Sequence, residues 1–286
     1  MFSKPIPPVE IDLDAYFARI GCAARRTPTL AVLNTIIAHH ISAIPFENLD
    51  VLLGRPILLD PASLQKKLVR DRRGGYCFEQ NGLLLLVLSE LGFRVTPLSA
   101  RVRIQRPRDF IPPRTHLFIR VEIAGEAWLA DVGIGGLSPT AALRLNDVGE
   151  QSTLHEPHRI LREDGRFFRQ AKLGEEWSDV CEFTGEEMPL IDREVSNWWT
   201  STNPSSTFRQ NLMVARAGQG GTRLAILNRE FTIRGGARII ERRELATPAE
   251  LREVLARYFD LSFPAGTRFG EADSLWSMVQ HEYPQH

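Results

Sequence analysis

Apolar residues recur at helical spacing through the first part of the chain and at a spacing of two beyond Phe93. Ile11, Leu13, Tyr16, Phe17 and Ile20 mark a first helix that ends at Gly21, with Asp12 and Asp14 at its start. Leu30, Leu33, Ile36 and Ile37 mark a second that runs to His40 and is capped by Thr27 or Thr29. Asp60-Pro61 reads as the cap and first turn of a third, reaching Val69. Leu83 to Leu88 form an unbroken apolar run, too continuous for a surface helix, so the helix carrying them is predicted to be buried. It opens at Cys77 and closes at Leu91, with Gly92 suited to a left-handed cap.

Val95, Val102 and Ile104 predict strands interrupted at Pro97. His116 to Ile123 alternates cleanly, with Leu117, Ile119, Val121 and Ile123 on one face and His116, Phe118, Arg120 and Glu122 on the other. Ala124-Gly125 makes a turn, and Glu126 to Val132 returns as a second strand. With a two-residue loop, Ile123 faces Glu126 and His116 faces Gly133. Asp131 then lies diagonally from His116 on the same face, at roughly 7–8 Å between α-carbons, a gap that the two side chains can bridge. A three-residue loop would put Asp131 on the other face unless a bulge corrected it. Leu143 to Ile160 and Gly165 to Gln170 read as further short strands, and Asn197 to Phe208 as a polar loop with tryptophans. A hairpin about Asn228-Arg229 and a helix opened by the capping box Thr247-Pro-Ala-Glu250 complete the pattern.

The chain has 286 residues, enough for two or three modules sharing an interface. Its net charge is zero, which offers no basic groove for nucleic acid and no patch for an acidic membrane surface. Cys22, Cys77 and Cys181 are too few and too far apart for a disulfide framework or a metal site. Met1 to Glu10 is proline-rich and lacks the basic-then-apolar order of a secretory signal. The longest apolar run falls far short of the ~20 residues that span a bilayer. A soluble, cytoplasmic protein is expected.

The sharpest chemical signal is Arg72-Arg-Gly-Gly-Tyr-Cys-Phe-Glu-Gln-Asn81. A thiol at a helix N-terminus sits among unsatisfied N–H groups at the positive end of the dipole, which favours the thiolate. Arg72 and Arg73 are expected to add positive charge nearby. The competing reading is a small core cysteine; the Gly-Gly approach and the polar Glu79-Gln80-Asn81 sequel argue against it. His39 and His40 have no carboxylate spaced to match. Gly133-Ile-Gly-Gly136 suits either a phosphate cradle or, at least as well, a turn that lets the backbone pass close to an active site. Cys77, His116 and Asp131, in that order, supply a nucleophile, a base and a group that orients the base. Such a set carries acyl transfer, with the N–H groups after Cys77 as oxyanion donors. A cysteine peptidase or transglutaminase-like enzyme acting on peptides would use the same three.

The segment Arg73-Gly-Gly-Tyr-Cys-Phe-Glu-Gln-Asn81 resembles the signature of the arylamine N-acetyltransferases. Tyr16-Phe-Ala-Arg-Ile-Gly21, Ile44-Pro-Phe-Glu-Asn-Leu49, Pro113-Arg-Thr-His116, Asp131-Val-Gly-Ile-Gly-Gly136 and Ser201-Thr-Asn-Pro204 match in the same order, so the likeness spans almost the whole chain. The resemblance implies an α+β multidomain fold: a helical domain over 1–92, a β-barrel domain over 93–196 and an α/β lid over 197–286, with a papain-like cysteine core. It implies ping-pong transfer of acetyl from acetyl-CoA to an arylamine or arylhydrazine through Cys77, with His116 as base and Asp131 as its orienter. No cofactor would be bound permanently. Thr115, Gly133, Gly135, Gly136, Trp199 and Ser205 fall where the family contacts coenzyme A or the acceptor. Ile134 stands where phenylalanine is usual and Trp199 where tyrosine is commoner; both bear on pocket shape.

Overall fold

The computed structural model describes residues 11–23 and 26–269. The reading of Met1 to Glu10 and the end of the expected lid, 270–286, lie outside the described residues. Helix α1 (Leu13–Ile20) is capped by Asp12, and the left-handed Gly21 ends it. Thr29, rather than Thr27, caps α2 (Leu30–Ala43). The short strand β1 (Phe46–Glu47) and the one-turn helix α3 (Leu49–Leu52) follow. Asp60 caps α4 (Pro61–Leu64), which widens into a π-helical turn over Gln65–Arg70 instead of continuing as α-helix to Val69. Helix α5 (Cys77–Glu90) is closed by Gly92 at φ +82°, with the Phe93 N–H donating back to the Leu88 carbonyl at 3.0 Å. Leu83, Leu84, Val87 and Leu88 of α5 are wholly buried against α1, α2 and the sheet. No helix among the described residues is long and apolar enough to cross a membrane.

The larger sheet is seven-stranded: β2 (Arg94–Val102), β3 (His116–Ile123), β4 (Glu126–Ala130), β5 (Leu143–Arg144), β6 (His158–Glu163), β7 (Arg166–Leu173) and β8 (Glu176–Phe183), in the order β5-β4-β3-β2-β8-β7-β6. Pro97 does not interrupt β2. Its carbonyl points away from β3 and accepts the Met188 N–H at 2.8 Å, so its missing N–H belongs to the side that makes no bond to β3. The sheet curls until its edges nearly meet. Gln151 bridges them, pairing its backbone with His158 of β6 while its side chain bonds the Arg144 N–H and carbonyl of β5. Leu98, Phe118, Leu129, Leu143, Ile160 and Phe183 fill the interior. The opposite face of β3, through Ile119 and Val121, packs on the helical core.

Three helices and a smaller sheet complete the described residues. Asn197 to Thr202, expected as loop, belong to helix α6 (Leu190–Thr202), so the boundary drawn between 196 and 197 falls inside a helix. The turn α7 (Thr207–Gln210) leads into β9 (Met213–Ala217), β10 (Thr222–Leu227), β11 (Glu230–Gly235) and β12 (Arg238–Glu244). Helix α8 (Pro248–Phe259), capped by Thr247, packs on this sheet. Strand β1 joins it as the edge partner of β9, so the chain's first part contributes to its last sheet.

Candidate active site

The site forms where the start of α5 meets the ends of β3 and β4. Its approach is set by glycine. A β-carbon on Gly74 would stand 2.1 Å from the Pro45 carbonyl oxygen, and one on Gly75 would stand 2.6 Å from the Glu79 carboxylate. Glu79 turns back to accept the Tyr76 N–H at 3.1 Å and holds Lys67 Nζ at 2.6 Å. Cys77 is thereby the first residue of α5, buried, with its sulfur 3.5 Å from the Thr115 carbonyl.

The β3–β4 hairpin has the two-residue loop, with Ala124 and Gly125 both at positive φ and Ile123 opposite Glu126. His116 Nε2 donates to Asp131 Oδ2 at 2.9 Å, which leaves Nδ1 of the ring free to serve the neighbouring Cys77 thiol, whose charge and bonding help to hold the ring protonated. Cys77, His116 and Asp131, expected to act together, thus form one chain of contacts, and all three are buried. Burial opposes charge on His116, but the Asp131 carboxylate overrides it, assisted by the thiol, and holds the imidazolium well above the ordinary range. Burial would likewise raise Asp131; the opposing charge and bond of His116, the charge of Arg169 and the bond from Asn81 hold it far below the usual carboxylate range.

Asp131 has two donors on each oxygen. Asn81 Nδ2 and the Gly133 N–H reach Oδ1, both at 3.0 Å; His116 and Arg169 Nη2 share Oδ2, the latter at 3.1 Å. Asn81 also bonds the Leu117 carbonyl and the Val132 N–H, stitching α5 to β3 and to the turn that follows β4. Sequence reasoning assigned no role to Asn81 or Arg169. The signal for Asn81 lay in three polar residues opening an apolar helix: Glu79, Gln80 and Asn81 are all buried and all bonded. Arg169 carried no comparable signal, because an arginine in an alternating strand reads as an outward residue.

The expected help from Arg72 and Arg73 is corrected. Arg73 is paired with Glu47 at 2.7 Å and Asp50 at 3.1 Å, and Arg72 is exposed and paired with Asp260. Their charges are compensated on the far side of the Gly-Gly approach. His40 is buried between Tyr16 and Gln80, with Nδ1 accepting the Tyr16 hydroxyl at 2.8 Å and Nε2 donating to Gln80 Oε1 at 2.7 Å. Burial pushes its pKa down to about 4, so it is a neutral core histidine.

Of the residues expected to contact coenzyme A or the acceptor, Thr115 and Gly133 touch Cys77 directly. A β-carbon on Gly133 would lie 2.6 Å from both the Cys77 α-carbon and Asn81 Nδ2. This turn therefore lets the backbone pass the thiol. Gly135, at φ +84°, lies against the Phe46 ring, and the Gly136 carbonyl accepts Arg234 Nη2 at 2.8 Å. Trp199 is half-buried on α6 and Ser205 is exposed in the turn before α7. Their segment reaches the site through Asn197, which accepts the Tyr76 hydroxyl, and Phe208, whose ring lies 5.0 Å from that of Tyr76. Tyr76, Phe78, Leu117 and Met188 form the apolar cluster around Cys77, with Phe46 and Phe208 half-buried at its edge.

An N-acetyltransferase family model matches residues 29–267. The Salmonella typhimurium protein described as arylamine N-acetyltransferase / N-hydroxyarylamine O-acetyltransferase is 38% identical over 249 residues, 87% of this chain and 88% of that one. The arylamine N-acetyltransferase of Mycobacterium bovis is 45% identical over 209 residues, 72% of this chain and 74% of that one. Among solved structures, the Mycobacterium marinum arylamine N-acetyltransferase in complex with CoA has a TM-score of 0.87 at 36% identity, covering 94% of this chain and 99% of that one. On this evidence the chain is an acyltransferase and belongs to the arylamine N-acetyltransferase family.

Proposed function

We propose that the protein moves an acetyl group from acetyl-CoA to the nitrogen of an arylamine or arylhydrazine through an acetyl-Cys77 intermediate. The observation that carries this reading is the buried contact chain from the Cys77 thiol through His116 to Asp131. His116 holds the thiol proton, so Cys77 attacks the acetyl carbonyl as a thiolate. The N–H groups of Cys77 and Phe78, which open α5, face no carbonyl of an earlier turn and suit the developing oxyanion. Collapse of the tetrahedral adduct breaks the bond to the coenzyme sulfur, which leaves with the proton from His116. An amine then attacks the thioester, His116 takes its proton, and Cys77 leaves as thiolate. In this reading Thr115, Gly133, Gly135, Gly136, Trp199 and Ser205 border the coenzyme and acceptor, and the Phe46 and Phe208 rings suit a flat aromatic amine.

Steady-state rates test the order of events. With arylamine varied at several fixed acetyl-CoA concentrations, double-reciprocal plots are expected to be parallel, as a covalent intermediate between two half-reactions requires. Intersecting lines, or cleavage of peptide amides without dependence on coenzyme A, would contradict the reading.

A further inference from the structure

Arg169 stands on β7 behind the Asp131 carboxylate and is wholly buried. Its Nη2 donates to Oδ2, the same oxygen that accepts His116, and its Nη1 donates to the Leu137 carbonyl at 3.2 Å. One guanidinium thus ties the carboxylate to the loop that continues from the Gly133 turn. Orienting an imidazole does not require a second cation on the accepting oxygen. Asn81 and the Gly133 N–H already fix the carboxylate through Oδ1. Two cations on one buried anion each weaken the other's hold on it.

We propose that Arg169 is a positioning residue for the acyl transfer: by sharing Oδ2 with His116, it limits the carboxylate's grip on the imidazolium proton. The purpose of this arrangement rests on the acetyl-Cys77 reading. The ring must hand a proton to the departing coenzyme thiolate and later take one from the amine, and a general acid–base group works best when its proton is held neither too firmly nor too loosely. The titratable and charged groups facing the cluster are Cys77 from α5, His116 and Asp131 from the hairpin, Glu156 and His158 at β6, and Arg223 from β10. Glu156 is occupied by Arg223 at 2.7 Å and Arg234 at 2.6 Å, and burial keeps His158 neutral. Asp131 is therefore the carboxylate that Arg169 meets.

The test is the pH dependence of Cys77 alkylation by iodoacetamide in the full chain without acetyl-CoA, with the modified residue located by mass mapping. The unsubstituted protein is expected to show an upper inflection for loss of the imidazolium proton. In Arg169→Met the upper inflection is expected to move up by about one pH unit, roughly tenfold in proton affinity. Arg169→Lys keeps the charge and should leave it in place. If Arg169 merely props the carboxylate, Arg169→Met frees Asp131 to turn away, and the upper inflection falls toward the ordinary imidazole value. That fall, or no shift at all, overturns the proposal. Should Arg169→Met fail to fold, Arg169→Gln keeps a donor for Leu137 without charge, and the same two directions decide. A single ordinary thiol inflection in the unsubstituted protein would instead remove the thiolate–imidazolium reading itself, whatever the variants do.

Discussion

At the scale of single residues, Asp131 is where the contacts of the candidate site converge, since its two oxygens take four donors, two of them cationic. Asp131→Asn is expected to lower acetyl transfer by ~10³-fold or more, because the imidazole loses the charge that holds its proton. It should also destabilise the fold by about 3–5 kcal/mol, because Arg169 is left as an uncompensated buried charge. Adding Arg169→Met should restore much of the stability and none of the activity; recovery of both by the double variant, in urea unfolding and transfer assays, would contradict this account. Gly133→Ala is expected to cost at least tenfold in transfer, since its β-carbon would press on the Cys77 α-carbon and Asn81 Nδ2, both 2.6 Å away. Normal rates with normal circular dichroism would show that the turn has room to yield. The juxtaposition of Cys77, His116 and Asp131 was legible in the sequence because a helix start and the parity of a hairpin are written in residue types. Asn81 and Arg169 were not, because their meaning depends on what stands opposite them in three dimensions.

At the scale of elements, the Tyr16–His40–Gln80 chain fastens α1 and α2 to α5, the helix that presents Cys77. His40 has its folded pKa pushed down to about 4, below the value near 6.5 of an unfolded imidazole. The unfolded chain therefore binds more protons across that window. Stability is fully present above about pH 6.5 and lost as pH falls toward 4, by about 1.4 kcal/mol per unit from this group. Urea unfolding of His40→Gln is expected to lose that part of the slope; an undiminished slope would assign it to other groups, among them His158, which burial lowers to about 3. Helix starts were legible here, as Asp12, Thr29, Asp60 and Thr247 each cap as their side chains allow. Helix α6 was not. Its buried residues are the polar Asn197 and Thr200, while Ile191, Val195 and Trp198 are exposed, so its periodicity is inverted relative to a core-facing helix. Pro97 misled for the complementary reason: a strand tolerates proline on the side where no ladder bond is made.

At the scale of the molecule, the parts interlock rather than sit side by side. Asn48 lies next to β1, yet its side chain donates to the Phe208 and Asn211 carbonyls at 2.7 Å each and accepts the Met213 N–H at 2.8 Å. Strand β1 itself completes the sheet of β9 to β12. Asn48→Ala is expected to cost about 2–4 kcal/mol by leaving those groups unpaired, lowering a single calorimetric transition by several degrees. Two separate transitions in the unsubstituted protein would show that the sheet of β9 to β12 melts independently. Helices first and strands after were legible as a change of period from 3.6 to 2. The near-closure of the larger sheet through Gln151 and the return of β1 to the last sheet were not, because pairing partners distant in sequence leave no mark on local pattern.

The central claim is that Cys77 carries the acetyl group, and intact mass tests it most directly. Protein mixed with acetyl-CoA in the absence of an amine is expected to gain one acetyl group, mapped to Cys77 and lost on addition of an arylamine. No adduct, an adduct on Cys22 or Cys181, or one that an arylamine leaves in place would contradict the account.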